Sequence, residues 1–127
     1  MKKVDVFHNS CLRRICNIYW PNKISNEELH RKTNTRQLST EIAIRRLKWL
    51  GHVLRMSDDR IPKVALHWAP EGKRKRGRPK TTWRRTVAKD LAAIGIPWDA
   101  AQPLAQNRPQ WRKLITALCP TWDEEDK

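Results

Sequence analysis

Apolar residues recur every three or four positions along most of this chain, the spacing of one helix face, and no stretch alternates strictly as a half-buried strand would. Phe7, Cys11, Leu12, Ile15, Ile18 and Tyr19 share one side of a helix over residues 5–19, with Arg13, Arg14 and Asn17 on the other and Pro21 as its stop. Ser25, followed three residues later by Glu28, has the pattern of a capping box and opens a short helix through Lys32. The longest periodic run covers residues 40–56, where Ala43, Leu47, Leu50 and Leu54 line a stripe beside Arg45, Arg46, Lys48, His52 and Arg55. Gly51 inside this helix costs about 1 kcal/mol relative to Ala, so a close helix crossing or backbone approach is expected there. Ser57-Asp58-Asp59 ends the run, and Pro62 suits the first turn of a helix reaching Trp68.

Between Ala69 and Lys80, Pro, Gly and cations predict a loop. Beyond it, Trp83, Val87, Leu91 and Ile94 form a stripe, with Thr81 or Thr82 as cap and Gly95 as stop. Pro97-Trp98-Asp99 opens a short polar helix with Asp99 as its N-cap. Trp111, Leu114, Ile115 and Leu118 mark a last helix that Pro109 opens and Pro120 closes. The expected fold is all-α, a small module of about five to six helices in two parts joined by a basic Gly-Arg-Pro loop. The expected divisions are residues 1–69, the loop 70–80, residues 81–119 and an acidic tail 120–127.

Charge changes the picture from fold to partner. The chain has 27 Lys and Arg against 13 Asp and Glu, a net charge of +14, and a polyanion is the partner such a surface attracts. Residues 71–98 carry 9 cations and 2 acids, whereas residues 99–127 carry 4 cations and 5 acids, so the C-terminal segment is not expected in the binding face. The tail Asp123-Glu124-Glu125-Asp126 is either solvated or in contact with the basic loop. Neither an apolar run of membrane-spanning length nor a signal-peptide core occurs, which leads to an intracellular expectation, nucleus or cytoplasm. Cys11, Cys16 and Cys119 form no disulfide framework.

The loop is where the cations concentrate. Lys73, Arg74, Lys75, Arg76, Gly77, Arg78, Pro79 and Lys80 place six cations around a Gly-Arg-Pro core. Gly77 removes the side chain that would hold the backbone off a nucleic-acid groove, and Pro79 fixes an extended φ. The core is AT-hook-like, and such a core follows the narrow minor groove of A·T-rich DNA, whose negative potential attracts Arg. A flexible basic linker drawn to any phosphate backbone is the alternative. Arg84 and Arg85, in the first turn after the loop, would extend the phosphate track with the free N–H groups of that helix.

Candidate chemistry elsewhere is sparse. A zinc site would draw on His8, Cys11, Cys16 and His30, yet no Cys-x2-Cys or His-x3-His pair is present, and packing thiols account better for the cysteines. Asp58-Asp59 is a carboxylate pair of the sort that holds Mg²⁺, but its polar surroundings read as a charged turn. His52 and His67 lack a local Ser, Cys or carboxylate that would orient them, and no Gly-rich phosphate loop is present. No catalytic residue, metal or cofactor is therefore expected. Trp49, Trp68, Trp83, Trp98 and Trp111 fall in or beside helices, where core packing is the default, while Trp20 and Trp122 at segment ends are freer.

Arg46-Leu47-Lys48-Trp49-Leu50-Gly51-His52-Val53-Leu54-Arg55-Met56, then Arg60-Ile61-Pro62, Gly77-Arg78-Pro79, Trp83, Asp90-Leu91 and Arg108-x-x-Trp111-Arg112, resemble the region after the polymerase domain in endonuclease-reverse transcriptases of non-LTR retrotransposons. The resemblance runs from Leu12 to Leu114. It implies an RNA-directed DNA polymerase as the parent, with its aspartate-rich palm and endonuclease outside this chain. It implies a C-terminal part that grips RNA or DNA, with a polymerase domain as a second partner. Asn107 stands where the family often has Asp, a change expected to loosen a local ion pair. Because Met1 falls within the family pattern, a truncated or decayed element copy is the expected origin. Alternatives are a stand-alone AT-hook-like DNA-binding protein, a docking module for a polymerase domain and a non-functional remnant.

Overall fold

Helices form where the spacing predicts them. The computed structural model describes residues 2–118 as seven helices with no strand among them: α1 (Lys2–Ile15), α2 (Asn26–Thr33), α3 (Leu38–Leu54), α4 (Ile61–His67), α5 (Trp83–Ala93), α6 (Trp98–Gln106) and α7 (Arg108–Thr116). The all-α expectation holds, with one or two helices more than expected. Trp122, Pro120, Cys119 and the acidic tail lie outside the described residues. Among the described residues no helix is long and apolar enough to cross a membrane.

The chain divides into two compact units, residues 1–43 and 44–127, so the boundary falls inside α3 and the basic loop belongs to the second unit. In the first unit α1 buries Asp5, Asn9 and Leu12, one face by their spacing. Of the apolar stripe expected to pack, Leu12 is buried and Cys11 and Ile18 are half-buried, while Phe7 at 69%, Ile15 at 75% and Tyr19 at 59% are exposed. Hydrogen bonding explains the choice of face. Asp5 accepts from the Ser39 N–H at 2.8 Å and from Gln37 Nε2 at 3.2 Å, and so caps the start of α3. Asn9 Oδ1 meets His30 Nε2 of α2 at 2.6 Å. Asn17, not Pro21, ends α1: it takes φ +54°, and the Ile18 N–H returns to Arg13 O at 2.9 Å, closing a Schellman turn. Ser25 caps α2 by accepting from the Glu28 N–H at 3.2 Å.

The second unit holds the larger core. Ile44, Leu47, Leu50, Val53 and Leu54 of α3 pack with Leu66, Val87, Leu91, Ile96, Ala101, Ala105, Trp111 and Ile115. Gly51 is buried because the indole of Trp111 occupies the space a side chain would fill, as the glycine in this helix predicts. Of the five helix-associated tryptophans, Trp111 is the one fully buried; Trp98 is half-buried, and Trp49, Trp68 and Trp83 are exposed, contrary to the core-packing expectation. Trp83 begins α5 before its stripe meets the core, and Trp49 faces out from α3 beside His52, ring centres 5.2 Å apart.

Caps set the remaining boundaries. Ile94 closes α5 with Gly95 at φ +77°, and the Ile96 N–H reaches Leu91 O at 3.0 Å in another Schellman turn. Pro97 precedes α6 without a side-chain cap, so Asp99 lies within the first turn rather than at the N-cap. The helix is not polar throughout, since Ala101 and Ala105 are buried. Asn107 caps α7 by accepting from the Gln110 N–H at 3.3 Å, work an Asn does as well as an Asp.

Candidate nucleic-acid interface

The loop between α4 and α5 is built to stand away from the protein. Every residue from His67 to Arg85 is exposed, and among the described residues Lys73, Arg74, Lys75, Arg76, Arg78 and Lys80 make no ion pair or hydrogen bond. Gly77 has φ +124°, a region L side chains rarely enter, and nothing lies within 4 Å of where its Cβ would stand. Among the described residues the six cations thus carry neither neutralisation nor packing duty. Their charge is available to a polyanion.

Thr82 joins the loop to α5. Its Oγ1 accepts from the Arg85 N–H at 3.3 Å, which fixes the helix start. One of the N–H groups expected to be free for phosphate is thereby taken, leaving those of Trp83 and Arg84. The first turn of α5 contains Arg84 and Arg85 and no acid. Cations at a helix N-terminus oppose the macrodipole by about 0.3–1 kcal/mol each, so this arrangement costs stability and concentrates positive potential.

Arg84 and Arg85 border a groove of about 290 Å³ with Ala88 and Trp98. Ala88, one turn along α5, leaves the gap that admits the groove. A half-buried indole flanked by two guanidinium groups can stack a base or another planar group while the cations meet a phosphate. Sequence periodicity missed Trp98 as a surface group. The signal was the run Arg84, Arg85, Ala88, in which a small residue follows two cations at one-turn spacing.

The second cavity, about 430 Å³, is lined by Leu54, Asp58, Lys63, His67, Trp98, Asp99 and Gln102. Its polar groups mostly serve the end of α3. Lys63 Nζ donates to Leu54 O at 3.1 Å and Met56 O at 3.0 Å and pairs with Asp58 at 3.2 Å. Gln102 and Gln106 also donate to Leu54 O, at 3.1 and 3.2 Å. Asp58 therefore sits in a turn beside a structural lysine, as its surroundings in the sequence suggest. His8 and His30 approach with ring centres 6.1 Å apart, but among the described residues no three His, Cys, Asp or Glu side chains gather as a metal site.

Comparison with known proteins gives a single kind of likeness. This chain is similar to a protein of Caenorhabditis elegans whose name calls it uncharacterized and transposon-derived. The two are 26% identical over 126 residues, covering 90% of this chain and 44% of the relative. The chain thus spans less than half the length of the curated relative it matches. No protein-family profile matches the chain, and no solved structure matches it.

Proposed function

We propose that this chain is of transposon-related origin and works as a nucleic-acid-binding part of a non-LTR reverse transcriptase, the part that follows the polymerase domain. It contacts RNA or DNA phosphates through Lys73, Arg74, Lys75, Arg76, Arg78 and Lys80, with Arg84 and Arg85 continuing the track, and leaves chemistry to other domains. The observation that carries this reading is the exposed loop of six cations without a partner among the described residues. The likeness to a transposon-derived protein supports the origin, and the residue patterns around Gly51, Gly77 and Trp111 support the reverse-transcriptase assignment.

The test is a salt series of equilibrium binding to A·T-rich duplex, G·C-rich duplex and structured RNA of equal length. If about five of the loop cations each neutralise one phosphate, the slope of log K against log salt is about −4.5 on duplex DNA. Comparable, salt-steep binding to all three marks a phosphate clamp, and binding confined to the A·T duplex marks groove reading. Absence of binding to every one at low salt overturns the proposal.

A further inference from the structure

A second group of cations lies away from the loop. Trp111 of α7 seats on Gly51 of α3, and Arg55, in the turn that follows α3, donates its backbone N–H to Gly51 O at 3.2 Å. Arg108 and Arg112 flank Trp111 and share one face of α7, being four residues apart. The seating of the indole thus carries both α7 arginines toward Arg55. Arg55 is held in place because its Nη1 donates to Ala105 O, at the end of α6, at 2.9 Å. Its Nε is buried and has no hydrogen-bond partner among the described residues.

Among the described residues no carboxylate pairs with this group. Ion pairs among the described residues include Arg36 with Glu41, Arg46 with Asp90 and Lys63 with Asp58, and none of these reaches Arg55, Arg108 or Arg112. Burial, and then the charges of Arg108 and Arg112, hold the Arg55 guanidinium below its ordinary value. The first turn of α7 has no acid, so its N-terminal dipole adds positive potential to the same place. Three guanidinium groups at a helix start repel one another unless an anion joins them. Arginine stays protonated, so losing a proton offers no relief.

We propose that Arg55, Arg108 and Arg112 form a second phosphate site, which holds a backbone phosphodiester of the nucleic acid while the Lys73–Lys80 loop holds another stretch of it. Guanidinium groups suit a tetrahedral phosphate because each offers paired donors. Arg55 is positioned by its bond to Ala105 O, and Arg108 and Arg112 are exposed and free to close on the ligand. This site departs from the expectation that the segment after residue 98 takes no part in binding. The site rests on the functional reading above in its choice of nucleic acid, though not in its attraction for phosphate.

The experiment uses the full chain with Arg108→Ala/Arg112→Ala and, as comparison, Arg76→Ala/Arg78→Ala. Arg108 and Arg112 are exposed, so the variant should keep the wild-type circular dichroism and melting curve. Arginine side-chain NMR during titration with inorganic phosphate should show saturable shifts at Arg55, Arg108 and Arg112, lost at Arg55 in the double variant. Binding to duplex DNA and to structured RNA should weaken about tenfold or more, and the salt slope on the duplex should flatten by about two units. No shift with phosphate and unchanged nucleic-acid affinity would overturn the site, even where the loop variant shows that nucleic acid is bound. Phosphate shifts with unchanged nucleic-acid affinity would overturn it as a backbone contact and leave a free-phosphate site. If wild type binds no nucleic acid at all, the functional reading fails, and the phosphate titration still judges the cluster.

Discussion

The Trp111 indole lies against the backbone of Gly51 so closely that a Cβ at that position would fall 2.6 Å from Cδ1 and 2.9 Å from Cε2. The ring has little freedom to retreat. Its Nε1 donates to Leu47 O at 3.0 Å, and it is 3% exposed. Leu47 O is also the acceptor one turn before Gly51 in the helix ladder, so one carbonyl serves α3 and the crossing of α7.

Gly51→Ala therefore sets two effects in opposition. Ala gains about 1 kcal/mol over Gly within a helix, whereas forcing a methyl into the indole costs about 1–3 kcal/mol. Because the ring is anchored by its hydrogen bond, overpacking wins, and a net loss of about 1 kcal/mol or more is expected in urea unfolding. In a Trp111→Leu background, itself destabilised by the lost bond and packing, the same substitution should become neutral or stabilising. A Gly51→Ala penalty that persists without the indole would show that the contact is not its cause.

Arg46 and Asp90 form another long-range tie of the second unit. Arg46 Nε and Nη2 donate to separate carboxylate oxygens at 2.7 and 3.0 Å, joining α3 to α5. The side chains are 20% and 14% exposed, between a surface pair worth 0–1 kcal/mol and a fully buried pair whose disruption costs about 3–5 kcal/mol. Asp90→Ala should accordingly cost about 2 kcal/mol. Arg46→Lys should recover only part of the bond because an ammonium cannot make the forked contact. A double-mutant cycle with Arg46→Ala measures the coupling; a value near zero would assign the loss to packing.

Much of this arrangement is legible in the amino-acid sequence. The stripe of Leu47, Leu50 and Leu54, the caps at Ser25 and Thr82 and the stop at Gly95 are local effects, set by spacing or by one backbone conformation. Gly51 also announced a close neighbour, though its identity, Trp111, was not readable across sixty residues of chain. Periodicity failed on α1, where the stripe of Phe7 and Ile15 stays exposed and the hydrogen bonds of Asp5 and Asn9 select the opposite face. The Arg55, Arg108 and Arg112 cluster was hidden for a related reason. Summed by segment, the charges of Arg108 and Arg112 cancel against the acidic tail; only the folding of α7 onto α3 sets them beside Arg55.

The loop separates charge from shape by two substitutions that differ in kind. Arg78→Ala removes one cation, so it should weaken binding and flatten the salt slope by about one unit. Gly77→Ala removes none, but it opposes φ +124° where an Ala side chain is strained. The strain is relieved by a change of loop conformation, since nothing packs against Gly77, and the melting temperature should stay at the wild-type value. If the Gly-Arg-Pro core follows a groove, Gly77→Ala should lower affinity for A·T-rich duplex several-fold with the salt slope intact. Equal affinity of Gly77→Ala and wild type for every duplex and RNA would show that the six cations act through charge alone, a clamp that has no need of the glycine's backbone freedom.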